Sequence, residues 1–197
     1  MRKYCIGLLG ALTIATASAV EPGDKAPGFT LQNTKGEQVS LSDFKGKLVV
    51  LEWLNYDCPF VKKHYQSGNM PALQEKYTGK DVVWLAVNSN AEGKQGYLPA
   101  AELGERSKKE GSKATAVLLD TSGTVGKSYG AKTTPHMFVI SKDGEIAYAG
   151  GIDDKKSTQS ASLEGATNYV ANALDALIAG KEVETPKAAP YGCGVKY

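Results

Sequence analysis

Cysteine is scarce in this chain of 197 residues. It has three, Cys5, Cys58 and Cys193. No two of them are spaced as C-x-x-C, so there is no local dithiol and no tight ligand spacing for a metal. Arginine is scarcer, with only Arg2 and Arg106, and histidine occurs only as His64 and His136. An excess of one charge is also missing. Setting aside Arg2 and Lys3 at the start, the 23 basic residues become 21 against 21 acidic ones. Nothing in that balance selects a nucleic acid or an anionic membrane as partner. Long apolar runs are absent too. The longest, residues 6–15, falls short of the ~20 residues that cross a bilayer, and no later segment does better. There is no internal repeat and no linker-like stretch.

What is present begins with a leader. Arg2 and Lys3 precede the apolar run, and Ala17-Ser18-Ala19 follows as a small-residue cleavage site. Residues 1–19 therefore read as a secretory signal peptide, which implies export to the periplasm or outside. Cys5 leaves with it. The remaining chain divides into a domain over 20–180 and a tail over 181–197 that carries Cys193. Two cysteines in an exported protein are free to form a disulfide.

Along the domain, residues 29–41 read as a hairpin turning at Lys35-Gly36. One helical turn, with Ser42 as a possible cap, covers 41–44. Buried strands are expected at 48–54 and 82–87, further strands at 116–119 and 137–141, and a returning strand at 146–149. A helix after Pro59 is interrupted at Ser67-Gly68-Asn69 and resumes at Pro71. Ser89 to Gly96 reads as a flexible polar rim. Further helices are expected over 99–109, 123–129 and 162–179, the last with an apolar stripe from Leu163 to Ile178. Strands alternating with helices, then a hairpin and a closing helix, make an α/β fold: a mixed central sheet with helices on both faces. Sites in such sheets lie at the carboxyl ends of strands.

Cys58 occupies such a place. The strand before it is apolar except for Glu52, and Pro59 follows at once. Proline is suited to the first position of a helix and biases the residue before it toward extended backbone. Cys58 is thus expected at a helix N-terminus, where unpaired N–H groups and the helix dipole favour a thiolate, the reactive form of cysteine. The alternative is a small buried core cysteine. Lys62, four residues on, either adds a favourable charge or is a solvated surface lysine. Asp57 either caps the helix or opposes ionisation of the thiol. Trp53, Tyr56 and Phe60 read as packing.

Three stretches, LSDFKGKLVVLEW, DCPFVKKHY and YGAKTTPHMFVISKDGEIAYAGG, resemble the thioredoxin-like superfamily. The similarity is to its exported redoxins and to peroxiredoxin-like proteins of the alkyl hydroperoxide reductase/thiol-specific antioxidant type, and it runs from about Ala26 to Gly180. It implies a thioredoxin-like fold in which Thr134-Pro135 is a cis-proline loop beside the reactive cysteine. It also places the backbone of His136 near Cys58. The chain departs from the pattern at several points. Thioredoxins carry C-x-x-C, but position 61 is Val61 and position 55 is Asn55. A related group reads C-N-H-C-P-Y-V, and Asn55 replaces its first cysteine. Peroxiredoxins read P-x-x-x-T-x-x-C, and those places hold Leu51 and Asn55. Arg106, the one arginine after the leader, falls in an expected surface helix, so the arginine that activates peroxide has no evident counterpart.

The reading that results is an exported thiol-disulfide oxidoreductase or peroxiredoxin-like antioxidant protein. Cys58 attacks a protein disulfide or a small peroxide, and an external thiol reductant restores it; no cofactor is implied. Cys193 is the expected resolving partner. The fourteen residues from Ala179 to Cys193 can span about 46 Å at roughly 3.3 Å each. Gly192 and Gly194 allow close approach, and Tyr191, Val195 and Tyr197 offer apolar contacts to dock the tail. A permanent structural bridge and an intermolecular bridge are the alternatives. A separate alternative is a copper-binding module without redox catalysis, since Cys58, Cys193, His64, His136 and Met137 are donors that suit Cu(I).

Overall fold

The computed structural model describes residues 19–197. The expected signal peptide and Cys5 lie outside the described residues, apart from Ala19.

The sheet is built outward from two apolar strands. β3 (Val49–Trp53) and β4 (Val83–Asn88) are buried on both faces and pair in parallel. Parallel strands need helical crossovers, and two helices supply this one: α1 (Pro59–Gln66) and α2 (Asn69–Thr78). The chain then adds α3 (Ala100–Lys109), β5 (Ala116–Leu119), α4 (Thr124–Tyr129) and a two-residue strand, β6 (Thr133–Thr134). β7 (His136–Ile140) runs antiparallel to β3, and β8 (Ile146–Gly150) returns beside it. The hairpin of β1 (Thr30–Asn33) and β2 (Gln38–Ser40) pairs with β5. The seven-stranded order is β2-β1-β5-β4-β3-β7-β8, a mixed sheet with helices, as the sequence predicts.

Alternation along β3 separates two cores. Val50 and Leu54 join residues of α1, α2, α3 and α5 (Tyr169–Ile178) on one face. Val49, Leu51 and Trp53 join α4, the hairpin and the N-terminal arm on the other.

Several local expectations need correction. The turn over Leu41–Phe44 is 3-10, and its cap is Ser40, not Ser42, because Asp43 reaches back to the Ser40 N–H. The resumed helix starts at Asn69, before Pro71. The final helix does not start at 162. A 3-10 turn covers Ser160–Leu163, Gly165 takes a positive φ of 64°, and α5 begins after Asn168, whose side chain accepts the Ala171 N–H. The Ser89–Gly96 rim is tied down: Asn88 and Asn90 amides both donate to the Gly96 carbonyl, and Ser89 donates to Asp120.

The tail follows a defined course. At the outer strand β8, the Ala149 N–H donates to Pro186, the Ala188 N–H donates to Ala149, and Lys187 bridges Ala149 in parallel. It ends in β9 (Cys193–Gly194), which pairs antiparallel with β6.

Candidate active site: two thiols at the start of a helix

Cys58 is the N-cap of α1 with φ −70° and ψ 125°, and Pro59 is the first helical residue. This extended backbone is what a following proline favours. The loop before it is held by Asn55, whose carbonyl accepts the Cys58 N–H at 3.0 Å. The Asn55 side chain accepts the Asp57 N–H at 2.9 Å and donates to the Gln95 carbonyl at 3.4 Å. Gly96 lies directly on it, with φ +87° and no room for a Cβ. Asn55 thus shapes the loop.

The Thr134–Pro135 peptide is cis, as the family pattern implies. The Thr134 carbonyl lies 3.0 Å from Cys58 Sγ. Thr134 also pairs with Cys193 across the β6–β9 ladder, and its hydroxyl donates to the Cys193 carbonyl at 3.4 Å. Gly192, with φ +130°, packs against the Thr134 carbonyl where a Cβ would collide. The two thiols are free, and Thr134 touches both: its carbonyl faces Cys58 Sγ and its backbone pairs with Cys193. Cys58 is fully buried and Cys193 half-buried.

The electrostatics separate the pair. Burial raises the Cys58 pKa, but hydrogen bonds outweigh it and the net direction is down. The Cys193 thiol contributes most, followed by the Val61 N–H in the first turn of α1, the Cys193 N–H and the Thr134 hydroxyl. The Thr134 carbonyl works the other way, since it accepts only from a protonated thiol. Cys193 is pushed up to about 11, by burial first and then by its hydrogen bond to Cys58 and the charge there. One thiol is set to ionise and the other to keep its proton.

Other predicted site residues are placed elsewhere. Lys62 is half-buried, and among the described residues its side chain has no hydrogen bond or ion pair. His136 lies across the sheet from Cys58, its ring tilted against Phe138 with centroids 4.5 Å apart, and accepts the Lys132 N–H at 3.2 Å. Burial and then Lys132 lower its pKa to about 4. It points away from Cys58 because successive residues of β7 alternate faces. Asp57 precedes the cap and faces Arg106. That arginine is not a remote surface residue: it reaches the Asp57 carboxylate at 3.5 Å and the Tyr56 carbonyl at 3.2 Å, over the Tyr56 ring. Its standing as the lone arginine after the leader was the available signal. Among the described residues no three His, Cys, Asp or Glu side chains are grouped to hold a metal. Of the donors in the copper reading, Cys58 and Cys193 come together, whereas His64 is bonded to Tyr191 and Asn69 and His136 packs with Phe138.

Sequence reasoning missed a buried polar group behind α1. Tyr191 donates to Asp153 at 2.5 Å, and His64 Nε2 lies 3.1 Å from the Tyr191 hydroxyl. Lys63, also buried, donates to the Lys155 carbonyl at 2.9 Å. A second group centres on Glu52. It accepts from Tyr65 at 2.9 Å, Gln74 at 3.0 Å and Trp84 at 2.8 Å. Burial raises its pKa to about 7 against the pull of those three donors.

A mixed sheet with a lone thiol capping the helix after its central strand, beside a cis-proline, defines a thioredoxin-like protein of cysteine-based chemistry. The chain belongs to the AhpC/TSA family, whose model matches residues 22–149. It is similar to the thiol-disulfide oxidoreductase ResA of Bacillus thuringiensis subsp. konkukian, with 27% identity over 129 residues, covering 64% of this chain and 68% of the relative. Among solved structures, an uncharacterised conserved protein from Geobacillus kaustophilus matches with a TM-score of 0.78 and 27% identity, covering 89% of this chain and 92% of that one. A putative thiol:disulfide interchange protein DsbE from Chlorobium tepidum matches with a TM-score of 0.52 and 28% identity, covering 65% and 83%. No described helix is long and apolar enough to cross a membrane.

Proposed function

We propose that this protein is an exported thiol-disulfide oxidoreductase in which Cys58 attacks and Cys193 resolves. The observation that carries the reading is that Thr134, whose carbonyl lies 3.0 Å from Cys58 Sγ, also pairs with Cys193 across the β6–β9 ladder, and the Cys58 pKa is lowered there. Cys58 thiolate attacks one sulfur of a substrate disulfide. A Cys58–substrate disulfide forms, and the other substrate sulfur leaves as a thiolate that takes up a proton. Cys193, as thiolate, then attacks Cys58 Sγ, forming the Cys58–Cys193 bond and expelling the second substrate thiolate. The substrate gains two electrons and the protein loses two. An external thiol reductant reverses the oxidation of the pair.

The first step prepares the second. While Cys58 is an anion, its charge and its hydrogen bond hold the proton on Cys193. Once Cys58 is in a mixed disulfide that charge is gone, and Cys193 ionises more readily. Relatives named thiol-disulfide oxidoreductase support a disulfide as substrate. So does the site: Asn55, at the place of the peroxiredoxin threonine, and Arg106 are both engaged with the loop before Cys58. The leader-like residues 1–19 support export, with 20–180 as the domain and 181–197 as the tail that brings the second thiol.

The test is mass spectrometry of protein oxidised with a small disulfide. Wild type should give an intramolecular Cys58–Cys193 bond that mild reductant reopens. C193S should retain the small thiol on Cys58. A wild type whose cysteines never pair within one chain sinks the reading.

A further inference from the structure

We propose that Tyr191 is a positioning residue that holds Cys193 against Cys58, with the buried Asp153–His64–Lys63 group as its socket. This rests on the reading of Cys193 as the resolving thiol.

Tyr191 is 6% exposed, although it sits in an irregular tail six residues from the last residue, Tyr197. Its socket is made by α1 and the segment after β8. The hydrogen bonds run in one direction. The Asn69 amide donates to His64 Nδ1 at 2.8 Å, which leaves the proton of a neutral imidazole on Nε2. That N–H faces the Tyr191 oxygen, and the Tyr191 hydroxyl donates onward to Asp153 Oδ1. Asp153 Oδ1 is also fixed by the Lys155 N–H at 2.9 Å. The ring sits edge-on to Phe60 at 5.7 Å, with the Lys63 ammonium over it at 5.2 Å. Phe60, Lys63 and His64 all belong to α1, the helix that Cys58 caps. The nucleophile and the anchor of its partner therefore share one rigid element.

Past Cys193 the chain is fastened again. Val195 donates to the Lys132 carbonyl at 3.1 Å, Ala91 donates to Lys196 at 2.8 Å, and the Tyr197 hydroxyl donates to Ala131 at 2.8 Å. Cys193, itself paired with Thr134, lies between two anchors, two residues from each. A thiol on a flexible tail offers only a millimolar effective concentration, whereas one held in line gains far more. Tyr191 is the anchor on the buried side, so its loss should convert the held thiol into a tethered one.

Dithiobis(nitrobenzoate), one equivalent per chain, reads both steps. Attack by Cys58 releases one coloured thionitrobenzoate, and resolution by Cys193 releases the second. Wild type should release two in quick succession and keep no adduct. In Y191A the first release should speed up, because the cover over Cys58 is loosened. The second should slow by about 10-fold or more. Y191F keeps the ring but loses the hydroxyl and should fall between. Circular dichroism at the assay temperature restricts the comparison to folded protein, and Y191F decides if Y191A does not fold. A general loss of stability would not slow the second release while leaving the fold intact. If wild type releases two equivalents and folded variants show an unchanged second phase, the positioning role is wrong and the resolving role stands. If wild type releases one and retains the adduct, the resolving role itself is wrong, and this inference falls with it.

Discussion

The two faces of the central sheet each bury an apolar core, the larger under α1, α2 and α5, and they differ in the polar groups buried with it. The face under α4 and the hairpin is a stack of Leu51, Trp53, Tyr129 and Phe138, with ring centroids 5.2–5.5 Å apart among the three aromatics. The face under α1, α2 and α5 carries Cys58 and buries Glu52, Gln74, Lys63, His64 and Asp153 with it. Buried ionisable groups cost folding energy unless they are paired or neutralised. They gather on the side of the reactive thiol, while the aromatic face buries His136 beside Phe138 and the Ser89–Asp120 pair beside Trp53 and α4.

That contrast can be broken in four ways. The largest effect expected is acid sensitivity from the polar face. Burial, and then the Lys63 charge, lower His64 to about 3 from an ordinary 6.5. The unfolded chain then binds the proton that the folded chain refuses, so stability is complete above pH 6.5 and is lost as pH falls toward 3, by roughly 5 kcal/mol. Denaturant titrations across that range should show wild type losing more than H64Q; equal slopes would remove His64 from the account. Next is L51A on the apolar face, expected to cost about 2–5 kcal/mol. The pH midpoint of Cys58 alkylation should not move, and a shift there would mean that the faces are not separable. Third is Glu52, raised from 4.5 to about 7 by burial. Its sign is opposite to that of His64. The folded chain holds the proton longer, so stability falls as pH rises from 4.5 through 7. E52Q should gain on wild type by about 3 kcal/mol over that window. A constant difference between the two curves would show that Glu52 titrates normally. The smallest effect is K62A. With no partner among the described residues, Lys62 should leave the alkylation midpoint where it is, and any clear rise would restore it as a source of thiolate stabilisation.

Legibility followed distance along the chain. Cys58, Pro59 and the strand before them are contiguous, and local rules of proline and helix capping place them. The alternation of β3 and β4 likewise fixes the sheet. The 3-10 turn before α5 was misread because Leu163 and Ala166 continue the apolar stripe past Gly165, and the Asn168 cap was overlooked. His136 was placed by its backbone alone; strand alternation decides the face, and that needs the register against β3. Arg106 and Tyr191 were beyond local rules. Arg106 meets Tyr56 and Asp57 from 50 and 49 residues away, and Tyr191 meets His64 and Lys63 from 127 and 128. Polar partners so distant leave no periodic trace. The tail offered only its tyrosines and glycines as hints that it docks.

The course of the tail over β8 has a consequence for the protein in solution. β8 is one of the two outer strands of the seven, and an outer strand presents unpaired N–H and C=O groups that invite a second copy to add on. Residues 186–188 occupy Ala149 on that edge, donating to it and accepting from it. Opposite them Gly150, at φ +155°, has no room for a Cβ beside the Ala188 backbone. The segment that carries Cys193 thus also covers part of a sheet edge. A chain shortened before Pro186 loses both at once, and its tendency to associate rises with the same cut that removes Cys193.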